Sequence, residues 1–352
     1  MASTDNSNAK ECDIMTAKNR PRLPYLSHFV HTMFPPPRPR YGPYTFSYTE
    51  NDPKGIRRLL YKAFPPDLQI GVPWYSPSLA SKVKASQAFY SSYTGLEGTE
   101  LLNHVQNIRD KAWAIMPYPS IGCGWFLLAG LSVLEIWPEV VEAAKEGKTV
   151  LDLGCGLGQD LRRLHTEVDG PAKLYGIDLS KATWELGCEL FGDGNKPVAE
   201  FRCVDLKIGH LVDLNTWVDK EGLLRELRRS TDVILMSQIL DLFSWHEQIA
   251  IGETIAGLSK VGTKVIGCTF GTVQGSACER RTEDEYGSGR FYHDDCSTLT
   301  SLWMDIGSST GTKWKVDVKS VELEEWGFDK EDIACIPLPT PRGLNFVFTR
   351  ES

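Results

Sequence analysis

One stretch constrains this chain more than any other: TVLDLGCGLGQDLRRL, residues Thr149–Leu164. Apolar residues around Asp152 read as a buried strand, Gly154, Gly156 and Gly158 fall at alternate positions, and a helical pattern starts at once. Strand, glycine turn and helix make a crossover whose backbone and first helical amides can approach a nucleotide-like ligand closely. Two nucleotide readings fail on the residues themselves. A dinucleotide site wants a glycine where Gln159 stands, and no GK[ST] follows the turn to hold a nucleoside triphosphate.

Beyond Thr149, strand and helix patterns alternate. Strands are expected over 149–154, 173–180, 199–206, 232–240 and 263–270, with a final pair over 313–323 and 344–350. Five βα units and a closing pair predict an α/β fold, a Rossmann-like seven-stranded, mostly parallel sheet covered by helices on both faces. Ahead of it, Leu101, Leu102, Val105, Ile108 and Trp113 recur along one helical face, and WPEVVEAAKEG opens on proline and closes on glycine. Residues 1–40 therefore read as a disordered or extended, proline-rich leader, 41–147 as a helical N-terminal extension or substrate lid, and 148–352 as the ligand-binding domain.

Composition excludes several classes of function. A formal net charge of −8 argues against a nucleic-acid binder. The most apolar window, Gly124–Trp137, is too short for a membrane span and contains Glu135. The polar N-terminus lacks the apolar core of a secretory signal, so a cytoplasmic location is expected. Nine scattered cysteines without CxxC spacing fit neither a disulfide framework nor a zinc site, so no metal is expected.

Acidic residues at successive strand ends sharpen the ligand. Asp178, closing the second strand, can accept hydrogen bonds from both hydroxyls of a ribose, and Asp205, closing the third, lies within reach of an adenine amino group. Asp152, inside the first strand, is a buried carboxylate that needs a partner. It either holds the turn through its amides or orients a cationic part of the ligand.

Taken together, VLDLGCGLGQD, GIDLS and CVDL resemble the first three motifs of the class I S-adenosylmethionine-dependent methyltransferases. The resemblance implies S-adenosyl-L-methionine as cofactor. Its methionine moiety would lie by Asp152, Gly154, Cys155 and Gly156, with Gly158 and Gln159 completing the turn. Asp178 would take the ribose, and Leu179, Asp205 and Leu206 the adenine, while Ser237 and Gln238 at the end of the fourth strand complete the set. GQDLRRL, ELGCELFGD, LFSWHEQ, FYHDDCSTLTSLW and GTKWKV extend the likeness from about Met116 to Arg350, toward a fungal family serving meroterpenoid and related natural-product pathways. That likeness implies O-methylation of a hydrophobic small molecule, often at a carboxylic acid, and a homodimer. This chain departs from the family's pattern at two places: Asp241 stands where the family tends to place histidine, and Thr269 lies near its usual glutamine.

The acceptor decides which catalytic groups are needed. A carboxylic acid is already ionised near pH 7, whereas a phenol profits from a general base. His293, after the fifth strand, and His246, in SWHEQ, are the candidate bases, and Asp241 can pair with either or steady a cationic acceptor. The plainer reading of His246 is a solvated residue in a helix's first turn. For His293 and Asp241 it is helix capping. Arg280, Arg281 and Arg290, in a long polar stretch, can meet an acceptor carboxylate or simply form a solvated charge run. Two alternatives stay open: N-methylation of an alkaloid or amino-acid-derived metabolite, and a fold that binds the cofactor without methyl transfer, as a pericyclase-like catalyst or partner subunit.

Overall fold

Alternation along the strands gives each face of a sheet its own apolar set. Val150, Val233, Leu235 and Ile266 face one buried cluster, while Leu151, Ile234, Met236 and Val265 face the other. The computed structural model describes residues 75–352, apart from 117, 169, 171, 195, 205, 207–222, 274–277, 282–288, 337 and 339. The proline-rich leader, the helical pattern over 52–64 and Asp205 therefore lie outside the described residues.

Seven strands form the main sheet: β1 (Thr149–Leu153), β2 (Lys173–Asp178), β3 (Glu200–Cys203), β4 (Thr231–Ser237), β5 (Ser259–Thr272), β8 (Trp314–Val321) and β9 (Pro341–Arg350). Their spatial order is β3-β2-β1-β4-β5-β9-β8, and β9 alone runs antiparallel to its neighbours. This is the expected mostly parallel, Rossmann-like arrangement, with the order reversing between β1 and β4. One element differs from expectation. The polar stretch after β5 contains a hairpin, β6 (Cys278–Arg281) with β7 (Gly289–Asp294), and β7 joins the end of β5 through Gly271↔His293. Phe291 and Tyr292 favour a strand, but the charges around them masked that preference in the sequence.

The helices follow the same logic. Ahead of the sheet come α1 (Ala80–Thr94), α2 (Gly98–Trp113) and α3 (Trp137–Lys145). Within the sheet's crossovers lie α4 (Gln159–Glu167), α5 (Lys181–Phe191), α6 (Trp245–Leu258) and α7 (Asp295–Thr310). Leu101, Ile108, Trp113 and Trp137 are buried in the same cluster as Val150 and Ile266, so the N-terminal helices share a core with one face of the sheet. Phe191 of α5 anchors them: Tyr90 stacks on it at 5.3 Å and Tyr93 meets it edge-on. Polar bonds reach across the chain as well. Lys82 pairs with Asp332 at 3.0 Å, and the same carboxylate accepts from Trp125 Nε1 at 2.7 Å. Among the described residues, no helix is long and apolar enough to cross a membrane.

Candidate active site

The crevice lies at the carboxyl ends of β1, β2 and β4, where the strand order reverses. Its floor is the glycine turn. Gly154, Gly156 and Gly158 all adopt left-handed backbone, with φ of 76°, 54° and 71°. The amides of Gly154 and Cys155 both donate to the Ile177 carbonyl, at 2.8 and 3.1 Å, tying the turn to the end of β2. Space differs along it. A Cβ on Gly154 would fall 1.9 Å from Ile239 Cδ1, whereas one on Gly156 would meet nothing within 4 Å. Gly154 is thus demanded by packing, and Gly156 leaves an open cradle.

Arg162 braces the exit of the turn. It is fully buried, donates to the Leu157 carbonyl at 2.8 Å and pairs with Asp193 at 2.7 Å. Its guanidinium lies over the rings of Trp184 and Phe191. On the other side α5 presses close, because a Cβ on Gly187 would fall 2.1 Å from the Leu157 carbonyl oxygen.

Three carboxylates gather at the crevice. One oxygen of Asp178 accepts from the Gly156 amide at 2.9 Å and the other from the Ser180 amide at 3.0 Å. Burial raises its pKa, and those amides pull it back. Asp152 is only 3% exposed, and no described donor reaches its carboxylate. Burial, then the charges of Asp160 and Asp178, push it well above the ordinary carboxylate range. Asp160, in the first turn of α4, accepts from the Leu131 amide at 3.0 Å. Nothing in the sequence marked it, since an acid in a helix's first turn is commonplace.

These features fit S-adenosylmethionine. A buried, unpartnered carboxylate suits a cationic ligand, the cradle at Gly156 admits a close approach, and Gln159 Oε1 is buried without a partner among the described residues. The remaining expected cofactor residues are spread unevenly. Cys155 is 3% exposed, with its thiol packed toward Gly176, its amide given to the Ile177 carbonyl and its own carbonyl accepting from the Gly158 amide. Leu179 is half-buried, and its carbonyl accepts from the Cys203 thiol. Leu206 is buried. Ser237 sits beside Cys268, and Gln238 holds a left-handed φ of 51° while its amide donates to the Cys268 carbonyl at 2.8 Å. A non-glycine residue held there costs conformational energy and persists only because its surroundings fix it.

The candidate catalytic residues separate sharply. His246 is exposed on the first turn of α6, a helix started by a capping box of Ser244 and Glu247. His293 is fully buried, and burial lowers its pKa to about 3. Gln248 gives its side-chain NH2 to the Leu240 and Phe243 carbonyls, at 2.8 and 3.1 Å. That fixes the amide's orientation, so Gln248 Oε1 faces His293, whose Nε2–H donates to it at 2.9 Å. The Thr298 hydroxyl then donates to Nδ1 at 3.2 Å. Asp241, between those two carbonyls in the chain, is 4% exposed and accepts from the Thr269 hydroxyl at 3.2 Å. Gln248 escaped the sequence reading because nothing local distinguishes a buried glutamine on a helix. Among the described residues no group of three metal-ligating side chains gathers. The side chains of Arg280, Arg281 and Arg290 lie outside the described part.

A doubly covered parallel sheet with a glycine turn, an acid at the end of β2 that holds that turn, and on β1 a buried acid without a partner among the described residues is an arrangement suited to a nucleoside-type ligand. Known proteins agree. Residues 74–127 match the family model described as meroterpenoid methyltransferase N-terminal domain, and 144–249 match a methyltransferase domain. Methyltransferase ausD of Aspergillus calidoustus is 30% identical over 62% of this chain and 75% of its own. O-methyltransferase atr3 of Stereocaulon alpinum is 29% identical over 71% of this chain and 69% of its own. The asnovolin E/chermesin D methyltransferase nvfJ of Aspergillus novofumigatus is 27% identical, covering 66% and 79%. The chain belongs to the class I S-adenosylmethionine-dependent methyltransferases, within the fungal meroterpenoid and natural-product group. It is an enzyme that uses S-adenosylmethionine.

Proposed function

We propose that this methyltransferase acts on oxygen, at a carboxylic acid of a hydrophobic natural product. The observation that carries the reading is His293, neutral, enclosed and hydrogen-bonded at both ring nitrogens. Such an imidazole has no lone pair to offer an acceptor's proton, and an acceptor that arrives ionised needs none. His293 is then a positioning residue, holding the loop after β4 through Gln248.

The bound cofactor supplies an electrophilic methyl group on a sulfonium. In this reading Asp178, Leu179, Asp205 and Leu206 hold its nucleoside. Asp152, Gly154, Cys155, Gly156, Gly158 and Gln159 hold its amino-acid end, and Ser237 and Gln238 close the side toward the acceptor. The N-terminal part, tied to the end of β5 by the contact of Trp125 with Phe270, is in this reading the part that selects the acceptor and excludes water.

Mass spectrometry after incubation with aryl carboxylic acids, phenols and amines tests the proposal. A methyl ester, formed with kcat/KM nearly flat from pH 6 to 9, is expected. A methylated amine, or a phenol ether whose rate follows a base, would overturn it.

A further inference from the structure

Two cysteines 212 residues apart in the chain meet in the core. Cys123 Sγ lies 3.8 Å from Cys335 Sγ, and the Cys123 thiol donates to it. Cys123 follows the short helix Pro119–Gly122, and Cys335 caps the helix Lys330–Ala334. Cys123 is 1% exposed, whereas Cys335 is 8% exposed and directly follows the exposed Ala334. The hydrogen bond from Cys123 holds the Cys335 thiol below the ordinary thiol range, against the cost of burial, and raises Cys123 itself. The proton thus stays on Cys123, and thiolate character gathers on the less enclosed sulfur. The pair also sits at a joint between the N-terminal part and the tail. Asp332 accepts there from Trp125 Nε1 at 2.7 Å and pairs with Lys82 at 3.0 Å.

We propose that Cys123 and Cys335 form a redox modification site, a dithiol that hydrogen peroxide converts to a disulfide. The Cys335 thiolate attacks one peroxide oxygen, so an S–O bond forms, the O–O bond breaks, and hydroxide leaves to take up the Cys335 proton as water. The Cys123 sulfur then attacks the sulfenic sulfur. An S–S bond forms, the S–O bond breaks, and the hydroxyl leaves with the Cys123 proton as a second water. Both thiols are oxidised and the peroxide is reduced. A dithiol reductant reverses the step by exchange and is itself oxidised. Sulfurs already in contact need less than about 2 Å of movement to reach the roughly 2.05 Å of an S–S bond. The bond makes covalent the joint that Lys82, Trp125 and Asp332 already hold, and it closes a loop around most of the sheet. Such a loop restricts the unfolded chain strongly.

Peptide mapping of the full chain tests this. The reduced protein is treated with hydrogen peroxide near neutral pH, and circular dichroism before and after verifies that it stays folded. Remaining thiols are then blocked with N-ethylmaleimide in denaturant, and a non-reduced digest is read by mass spectrometry. A peptide pair joined through Cys123 and Cys335 is expected, and dithiothreitol should abolish it. Oxidation should raise the melting temperature by about 5–10 °C. Cys123→Ser should lose both the cross-link and the rise. In that variant dimedone should label Cys335, whose sulfenic acid has lost the thiol that resolves it. Recovery of both cysteines as maleimide adducts from the treated parent would overturn the proposal. So would sulfinic acid on Cys335 beside an unchanged Cys123.

Discussion

The amide of Gly156 donates to Asp178 at 2.9 Å, so the acid that ends β2 also holds the glycine turn that follows β1. Removing it should cost the cofactor twice, through the lost ribose acceptor and through a loosened turn. A hydrogen bond to a charged group contributes about 1.5–3 kcal/mol, so Asp178→Ala should weaken S-adenosylhomocysteine roughly 10- to 100-fold. Calorimetry checks this, and unchanged affinity would place the nucleoside elsewhere.

Neighbouring glycines should respond differently to alanine. At Gly154 the new methyl would strike Ile239, and overpacking of this kind costs about 1–3 kcal/mol beyond the strain of left-handed backbone. At Gly156 the methyl meets open space. Gly154→Ala should therefore lower the melting temperature substantially, with partial rescue by Ile239→Ala. Gly156→Ala should melt closer to the parent but lose cofactor affinity, because its methyl fills the cradle. Thermal unfolding with and without S-adenosylhomocysteine separates the two.

His293 gives a pH dependence of defined sign. Folded, it stays neutral down to about 3, whereas in the unfolded chain it takes a proton near 6.5. The unfolded state thus binds more protons in between, and stability falls as pH drops through that window. The slope is about 1.4 kcal/mol per pH unit. Urea unfolding of the parent and of His293→Gln should show the parent losing ground from pH 6.5 toward pH 4. Parallel curves would mean that the ring is protonated in place.

Gln248 should matter for the acceptor and not for the cofactor. Gln248→Leu leaves the Leu240 and Phe243 carbonyls and the His293 Nε2–H without their partner, at about 1–3 kcal/mol for each buried group left unpaired. The loop carrying Asp241 should loosen. Methyl transfer is expected to fall about tenfold or more, as a misplaced acceptor costs rate steeply. Affinity for S-adenosylhomocysteine should stay near normal. Equal losses in both measurements would mean a general structural defect.

Local pattern made much of this protein legible. The alternation in β1, β4 and β5 and the three glycines are short-range features, and backbone sterics translate them directly into strand, turn and helix. Asp178 was readable for the same reason, because a strand's carboxyl end is visible in the chain. The hairpin of β6 and β7 was not, since its charged neighbours imitate a solvated loop. The catalytic candidates were the least legible. His246 and His293 look alike in sequence, yet one is exposed and the other is enclosed between Gln248 and Thr298.

By itself, then, the sequence determined the sheet, the turn and the kind of ligand, because each depends on residues a few positions apart. Only the tertiary structure decided which polar groups are spent on the fold. Asp160 meets Leu131, Asp241 meets Thr269, and His293 meets Gln248 across separations of 29, 28 and 45 residues. Whether a buried donor or acceptor is free depends on what packs beside it. Such neighbours are set by the assembled core and not by the order of residues along the chain.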